Sequence, residues 1–165
     1  MNPNSSRSLL LVVAAVAGIA AAPASAADQH AQMVTRHGAR VMPFDQKTAQ
    51  HMFLDARDGG VVQIVVRTMD ERQISLVRSH LLDEASKFAH GNYGDPAYIH
   101  GASMPGLARL RSGAPHISVR YFETPTGAAI TLSSKDRTLV AAIHAWLGAQ
   151  RHDHAAGGAD GGMKM

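Results

Sequence analysis

The chain has 165 residues and a formal net charge of +3, a balance too even to supply an electrostatic footprint for nucleic acid or an anionic membrane. It has no cysteine, which excludes disulfides, zinc–thiolate sites and cysteine-linked haem. Its ten histidines and eight methionines leave imidazole and thioether as the ligands for a soft or borderline metal.

At the N-terminus, Arg7 precedes an apolar run from Leu9 to Ala22 and then Pro23-Ala24-Ser25-Ala26. This is the pattern of a secretory signal peptide, residues 1–26, cleaved after Ala26. The expected product is periplasmic or secreted, free of the membrane after cleavage, and at roughly 140 residues long enough for one domain with a core. Residues 27–40 are polar and without a clear hydrophobic period, which predicts a flexible leader. Residues 41–152 form the predicted domain, and 153–165 are a Gly-rich tail carrying His and Met, predicted to be disordered.

Within the domain, His51 to Leu54 and Val61 to Val66 flank Asp58-Gly59-Gly60, the signature of a β-hairpin. Asp70 and Gln73 fit a capping box, and Ile74, Val77, Leu81, Ala85 and Phe88 recur at helical spacing until Gly91-Asn92 stops them. A link from Ile99 to Leu107 follows, with a short helix beginning near Pro105. A second hairpin then spans His116–Phe122, a turn at Pro125-Thr126-Gly127, and Ala128–Leu132. Ser133 with Asp136 resembles a second capping box, ahead of an apolar stripe of Leu139, Ile143, Trp146 and Leu147. The order ββα, link, ββα predicts a two-layer α+β domain, a four-stranded antiparallel sheet carrying two main helices. The repeat suggests a pseudo-twofold in which His80 and His144 correspond.

Three groups of residues are candidates for chemistry. His100 and Met104 stand four apart, but Pro105 disfavours helical geometry at Met104, so they share a metal site only if Gly101 permits a tight turn. His51 is the expected third ligand, copper the expected metal, and core packing the alternative role for Met104. In the tail, His152, His154, Met163 and Met165 form a compositional metal-binding signal. His80 and His144 fall at the border of their helical stripes, either as packed half-polar residues or as a shared site. Asp83-Glu84 is expected on the outer, solvated helix face, and Asp95-Pro96 in a turn.

Arg36-His37-Gly38-Ala39-Arg40 resembles the Arg-His-Gly signature of histidine phosphatases. That resemblance implies a phosphorylated imidazole at His37 and phosphate binding by Arg36 and Arg40, with His152-Asp153 as a second element. The expected proline arrives one residue late, at Pro43, no apolar strand precedes Arg36, and the βαβ order of that fold is missing.

A broader resemblance is carried by Met42-Pro43-Phe44-Asp45, Thr48, His51, Phe53, Gly59-Gly60, Gln73-Ile74, Arg78-Ser79-His80-Leu81, Glu84-Ala85, Phe88, Asp95-Pro96, Ile99-His100-Gly101, Met104-Pro105-Gly106-Leu107, Ala142-Ile143-His144, Ala149-Gln150 and Asp153-His154. Over residues 40–154 the chain resembles a family of small exported bacterial proteins of unknown function. Members are sometimes labelled aspartate carbamoyltransferase, a misnomer on these residues, because the Ser-Thr-Arg-Thr phosphate loop of that enzyme is missing. The sequence thus points to an exported, non-enzymatic protein that binds or handles a transition metal. A metal-independent envelope interaction module and a phosphohydrolase using His37 are the alternatives.

Overall fold

The computed structural model describes residues 25–156, so most of the expected signal peptide, and Met163 and Met165, lie outside the described residues. Helix α1 (Ala26–Val41) leads into strands β1 (Ala49–Ala56) and β2 (Gly59–Val66), then helix α2 (Glu71–Ala89). Two short helices, α3 (Gly94–His100) and α4 (Leu107–Gly113), and a 3₁₀ turn (Ala114–His116) connect to β3 (Ser118–Thr124), β4 (Gly127–Ser133) and α5 (Arg137–Ala156). The strands form one antiparallel sheet in the order β1-β2-β4-β3. The expected α+β architecture is present.

Period-2 alternation turns Phe53, Ile64, Ile130 and Leu132 to the helical layer, where they meet Ile74, Val77, Leu81 and Phe88 of α2 and Leu139, Ile143, Trp146 and Leu147 of α5. Full burial of one such side chain contributes about 1.5–3 kcal/mol. A helix cap contributes about 1 kcal/mol, so the two stripes rather than the caps hold the helices on the sheet. Each helix packs chiefly across the other repeat's hairpin, α2 on β3 and β4, α5 on β1 and β2.

The caps differ from the expected boxes. The Asp70 carboxylate accepts from the N–H groups of Arg72 and Gln73, but the Gln73 side chain turns away and accepts from the Asp45 N–H at 2.7 Å. Asp136, not Ser133, caps α5 by accepting from the Thr138 N–H at 2.7 Å.

Counted from these two aspartates, the pseudo-twofold pairs His144 with Arg78 and not with His80. Nη2 and Nε of Arg78 donate to the carbonyls of Thr124 and Gly127, the residue pair that closes the β3–β4 hairpin, at 2.8 and 3.2 Å. Nε2 of His144 donates to the carbonyls of Ala56 and Gly59, the corresponding pair of the β1–β2 hairpin, at 2.9 and 2.8 Å. Two unlike side chains perform one task, clamping a hairpin end to the helix that crosses it. His144 therefore has a structural part, and no His80–His144 site spans the repeat.

Both ends of the domain depart from expectation. Residues 27–40 are helical, because Val34 and Gly38, one turn apart, bury one face of α1 against α3 and α5. Two small buried residues are too faint a stripe to read in advance. The predicted tail also begins late: α5 runs to Ala156, and His154 is buried. The link leaves α3 through Gly101 at φ +102° and enters α4 through Gly106 at φ +79°. A Cβ at Gly106 would lie 2.1 Å from the Ala142 carbonyl, so the link requires glycine there.

Candidate ligand-binding site

Between α2 and α5 lies a cavity of about 50 Å³. Each helix lines it with a row one turn apart, His80, Glu84 and Phe88 from α2 and Trp146, Gln150 and His154 from α5, and α2 adds Leu81. These are equivalent positions, His80 to Trp146, Glu84 to Gln150, Phe88 to His154, although on the sheet side the cavity faces the first hairpin alone. The sheet contributes His51, Phe53, Val62 and Ile64, and α3 contributes Asp95, Pro96, Ile99 and His100.

Two chemically different ends result. At one, His154 stacks on His51 with ring centroids 4.6 Å apart and lies 5.4 Å from His100, while Phe44 packs against both His51 and His80. At the other, Phe88 stacks on Tyr93 at 4.7 Å, and Trp146 meets both edge-on at 5.6 Å. Glu84 and Gln150 stand midway along their helices.

Burial sets the protonation states. It depresses His51 well below the usual imidazole value, with the neighbouring His154, His80 and His100 adding to the effect, and takes His154 down to about 4. Burial likewise lowers His80, and lowers His100 against the opposing pull of Asp153. All four imidazoles are neutral at pH 7 and keep a lone pair each. Glu84 was expected in solvent, yet it is buried, and that burial with the neighbouring Asp95 raises it to about 8. Its retained proton bonds to Asp95. Burial alone would raise Asp95, but the hydrogen bonds from Glu84 and Lys87 outweigh it and hold Asp95 below the normal range. The Lys87 ammonium balances this group from 2.6 Å (Asp83), 3.0 Å (Glu84) and 2.7 Å (Asp95).

Asp153 orients the imidazole end. Its carboxylate accepts from His100 Nδ1 at 2.9 Å and faces His30 Nε2 of α1 at 3.1 Å. Burial pushes Asp153 up, but its bonds to His100 and His30 prevail and keep it ionised. An ionised carboxylate on Nδ1 fixes the His100 tautomer with the proton there, leaving Nε2 as the lone-pair nitrogen. A carboxylate behind an imidazole is the usual outer-shell support of a metal-bound histidine.

The structure thus joins His51, His100 and His154 and separates them from the other expected ligands. Met104 packs in the hydrophobic core and does not line the cavity, although the link does turn tightly after Gly101, the Met104 N–H donating to the Gly101 carbonyl at 3.4 Å. The His152 side chain is 83% exposed, its Nδ1 3.8 Å from the Asp153 carboxylate, and does not line the cavity. Among the described residues, no three His, Asp or Glu side chains are already disposed to hold a metal ion.

His37 belongs to a different contact. Its ring stacks on Tyr98 at 4.3 Å, its Nδ1 donates to the Tyr98 carbonyl at 2.6 Å, and Arg40 donates to the Tyr98 hydroxyl at 3.1 Å. His37 and Arg40 dock α1 onto α3, and with Arg36 they stand apart from the cavity lining. The phosphatase-like motif therefore gains no support from the geometry.

Sequence reasoning passed over Glu84, Trp146 and Gln150 as site residues, paired His80 only with His144, and gave Asp153 a part only in the phosphatase-like motif. The signal was there, in His80-Glu84-Phe88 and Trp146-Gln150-His154, two runs at four-residue spacing whose members read as helix border, solvated face, apolar stripe and tail until the helices face each other. Compared with known proteins, the chain matches no family model, no curated protein and no solved structure.

Proposed function

We propose that this is an exported envelope protein that binds a single transition metal ion, copper first, through His51, His100 and His154. The observation that supports it most is the buried His100–Asp153 pair beside two further neutral imidazoles. The ion would draw the three rings together from their stacked arrangement, with Asp153 fixing the His100 tautomer. Size favours an ion at this end over a large organic ligand: about 50 Å³ compares with ~300–1,000 Å³ for ordinary small-molecule pockets. With Met104 in the core, the donor set is imidazole, which suits copper(II) and zinc.

Calorimetry and electron paramagnetic resonance on copper(II)-loaded protein test this reading. One equivalent should bind with nitrogen hyperfine structure, His100→Ala should weaken binding at least tenfold, and Asp153→Asn by about tenfold, the size of an outer-shell effect. Deleting residues 157–165 should change little, because those residues are not needed for the three-imidazole set. Binding no tighter than a surface histidine, or unchanged in His100→Ala, sinks the metal reading in favour of the metal-independent envelope module.

A further inference from the structure

The aromatic end of the cavity has no part in the metal site, yet it carries an anomaly of its own. The indole Nε1 of Trp146 and the amide Nε2 of Gln150 are buried without a hydrogen-bond partner among the described residues, as is His51 Nε2 toward the other end. Trp146 is 1% exposed and Gln150 6%. A buried donor left unmade costs about 1–3 kcal/mol, and two on one cavity wall are a cost that a structure keeps where something else supplies the acceptor.

We infer that this end of the cavity binds a small uncharged carbonyl compound or carboxamide, its oxygen accepting from the Trp146 indole N–H and the Gln150 side-chain amide. Trp146 and Gln150 are one turn apart on the same face of α5, their backbone positions about 6 Å apart along the axis, a spacing that long side chains can close onto one oxygen. Trp146 and His154 are about 12 Å apart on the same measure, which separates this site from the imidazole end. Phe88, Val62 and Leu81 supply apolar walls for the rest of the molecule. The space suits a ligand of only a few heavy atoms, since one water needs ~10–15 Å³ on the scale that gives this cavity about 50 Å³.

Charge decides against an anion. The ionisable groups facing the cavity are His51 from β1, His80 and Glu84 from α2, Asp95 and His100 from α3, and His154 from α5. No Arg or Lys is among the described residues that line it, and the nearby Lys87 ammonium is matched by Asp83 and Asp95. No cation remains on the lining to compensate a buried carboxylate, whereas a neutral carbonyl needs none. The inference is independent of metal binding and is tested on metal-free protein.

Trp146 is the chain's single tryptophan, so its indole N–H gives one resonance in a ¹⁵N-correlated spectrum. Acetamide should move that resonance saturably, and acetate, nearly the same shape but charged, should bind at least tenfold more weakly at matched ionic strength. Gln150→Leu, shown by circular dichroism to remain folded, should weaken acetamide at least tenfold. The proposal is overturned if the resonance is indifferent to acetamide, if acetate binds equally well, or if the indole N–H is already bonded to a resident water that acetamide does not displace. The acetamide-to-acetate comparison needs no variant, so it stands even if Gln150→Leu does not fold. Copper binding that persists where acetamide fails overturns this proposal alone, and acetamide binding without copper binding overturns only the metal reading.

Discussion

The two repeats share a frame and differ in what they present to it. In both, a capped helix crosses the partner hairpin and a side chain at the same position clamps the hairpin's closing carbonyls, Arg78 in one and His144 in the other. Farther along, equivalent positions diverge: His80 against Trp146, Glu84 against Gln150, Phe88 against His154. Where the pairs are apolar and off the cavity, as Val77 with Ile143, the frame packs solid. Where they are unlike and polar, it leaves a cavity. The departures from symmetry mark the chemistry, and α1 and α3 cover the imidazole end, with nothing equivalent on the other repeat among the described residues.

The largest effect should come from making the middle pair alike. The unfolded value of Glu84 is 4.5 and its folded value about 8, so between these limits the native state binds the extra proton and stability falls as pH rises. Glu84→Gln removes that slope. Relative to the parent, the variant should gain stability from pH 5 to pH 9, by up to about 4 kcal/mol on the scale of 1.36 kcal/mol for each pKa unit. Urea unfolding at several pH values measures it. Parallel pH profiles for the two proteins would mean that Glu84 is already ionised in the native state.

His154→Phe places at the imidazole end the residue its equivalent position holds in α2. In the metal-free parent, His154 has its proton affinity lowered from 6.5 to about 4, so the unfolded chain binds the extra proton in that window and stability is lost as pH falls. The variant should escape that loss, by about 3 kcal/mol at pH 4, and show a flatter acid limb in the same unfolding experiment. An unchanged acid limb would place the titration on His51 or His80 instead.

How much of this was legible beforehand follows from where each signal lies along the chain. The hairpins and both long helices were readable because turn glycines and apolar periods are local. His51 and His100 were readable as partners by residue type. The Asp153–His100 bond was not, since it joins positions 53 residues apart and depends on α5 extending past a point where Gly and Ala suggested a tail. The buried place of Glu84 was equally hidden: it follows His80 by one turn, and only the facing helix makes that side of α2 an interior. Met104 misled for the opposite reason, being close to His100 in sequence but packed into the hydrophobic core.

The smallest effect concerns the clamps, and it tests whether the two repeats are held alike. Arg78 is charged and makes two bonds to carbonyls, with Glu123 3.3 Å from its guanidinium at the surface. Hydrogen bonds to a charged group contribute about 1.5–3 kcal/mol, against about 0.5–1.5 for neutral ones, and the exposed ion pair adds little. His144 shares one N–H between two carbonyls, a single donor where Arg78 has two. Arg78→Ala should therefore cost about 2 kcal/mol and His144→Ala about 1 kcal/mol by urea unfolding at pH 7. Amide hydrogen exchange should localise each loss to a different turn, residues 56–59 for His144 and 124–127 for Arg78. Exchange that rises in both turns for either variant would show the sheet coupling the repeats through β2 and β4, so that the clamps act on one cooperative unit and not on two.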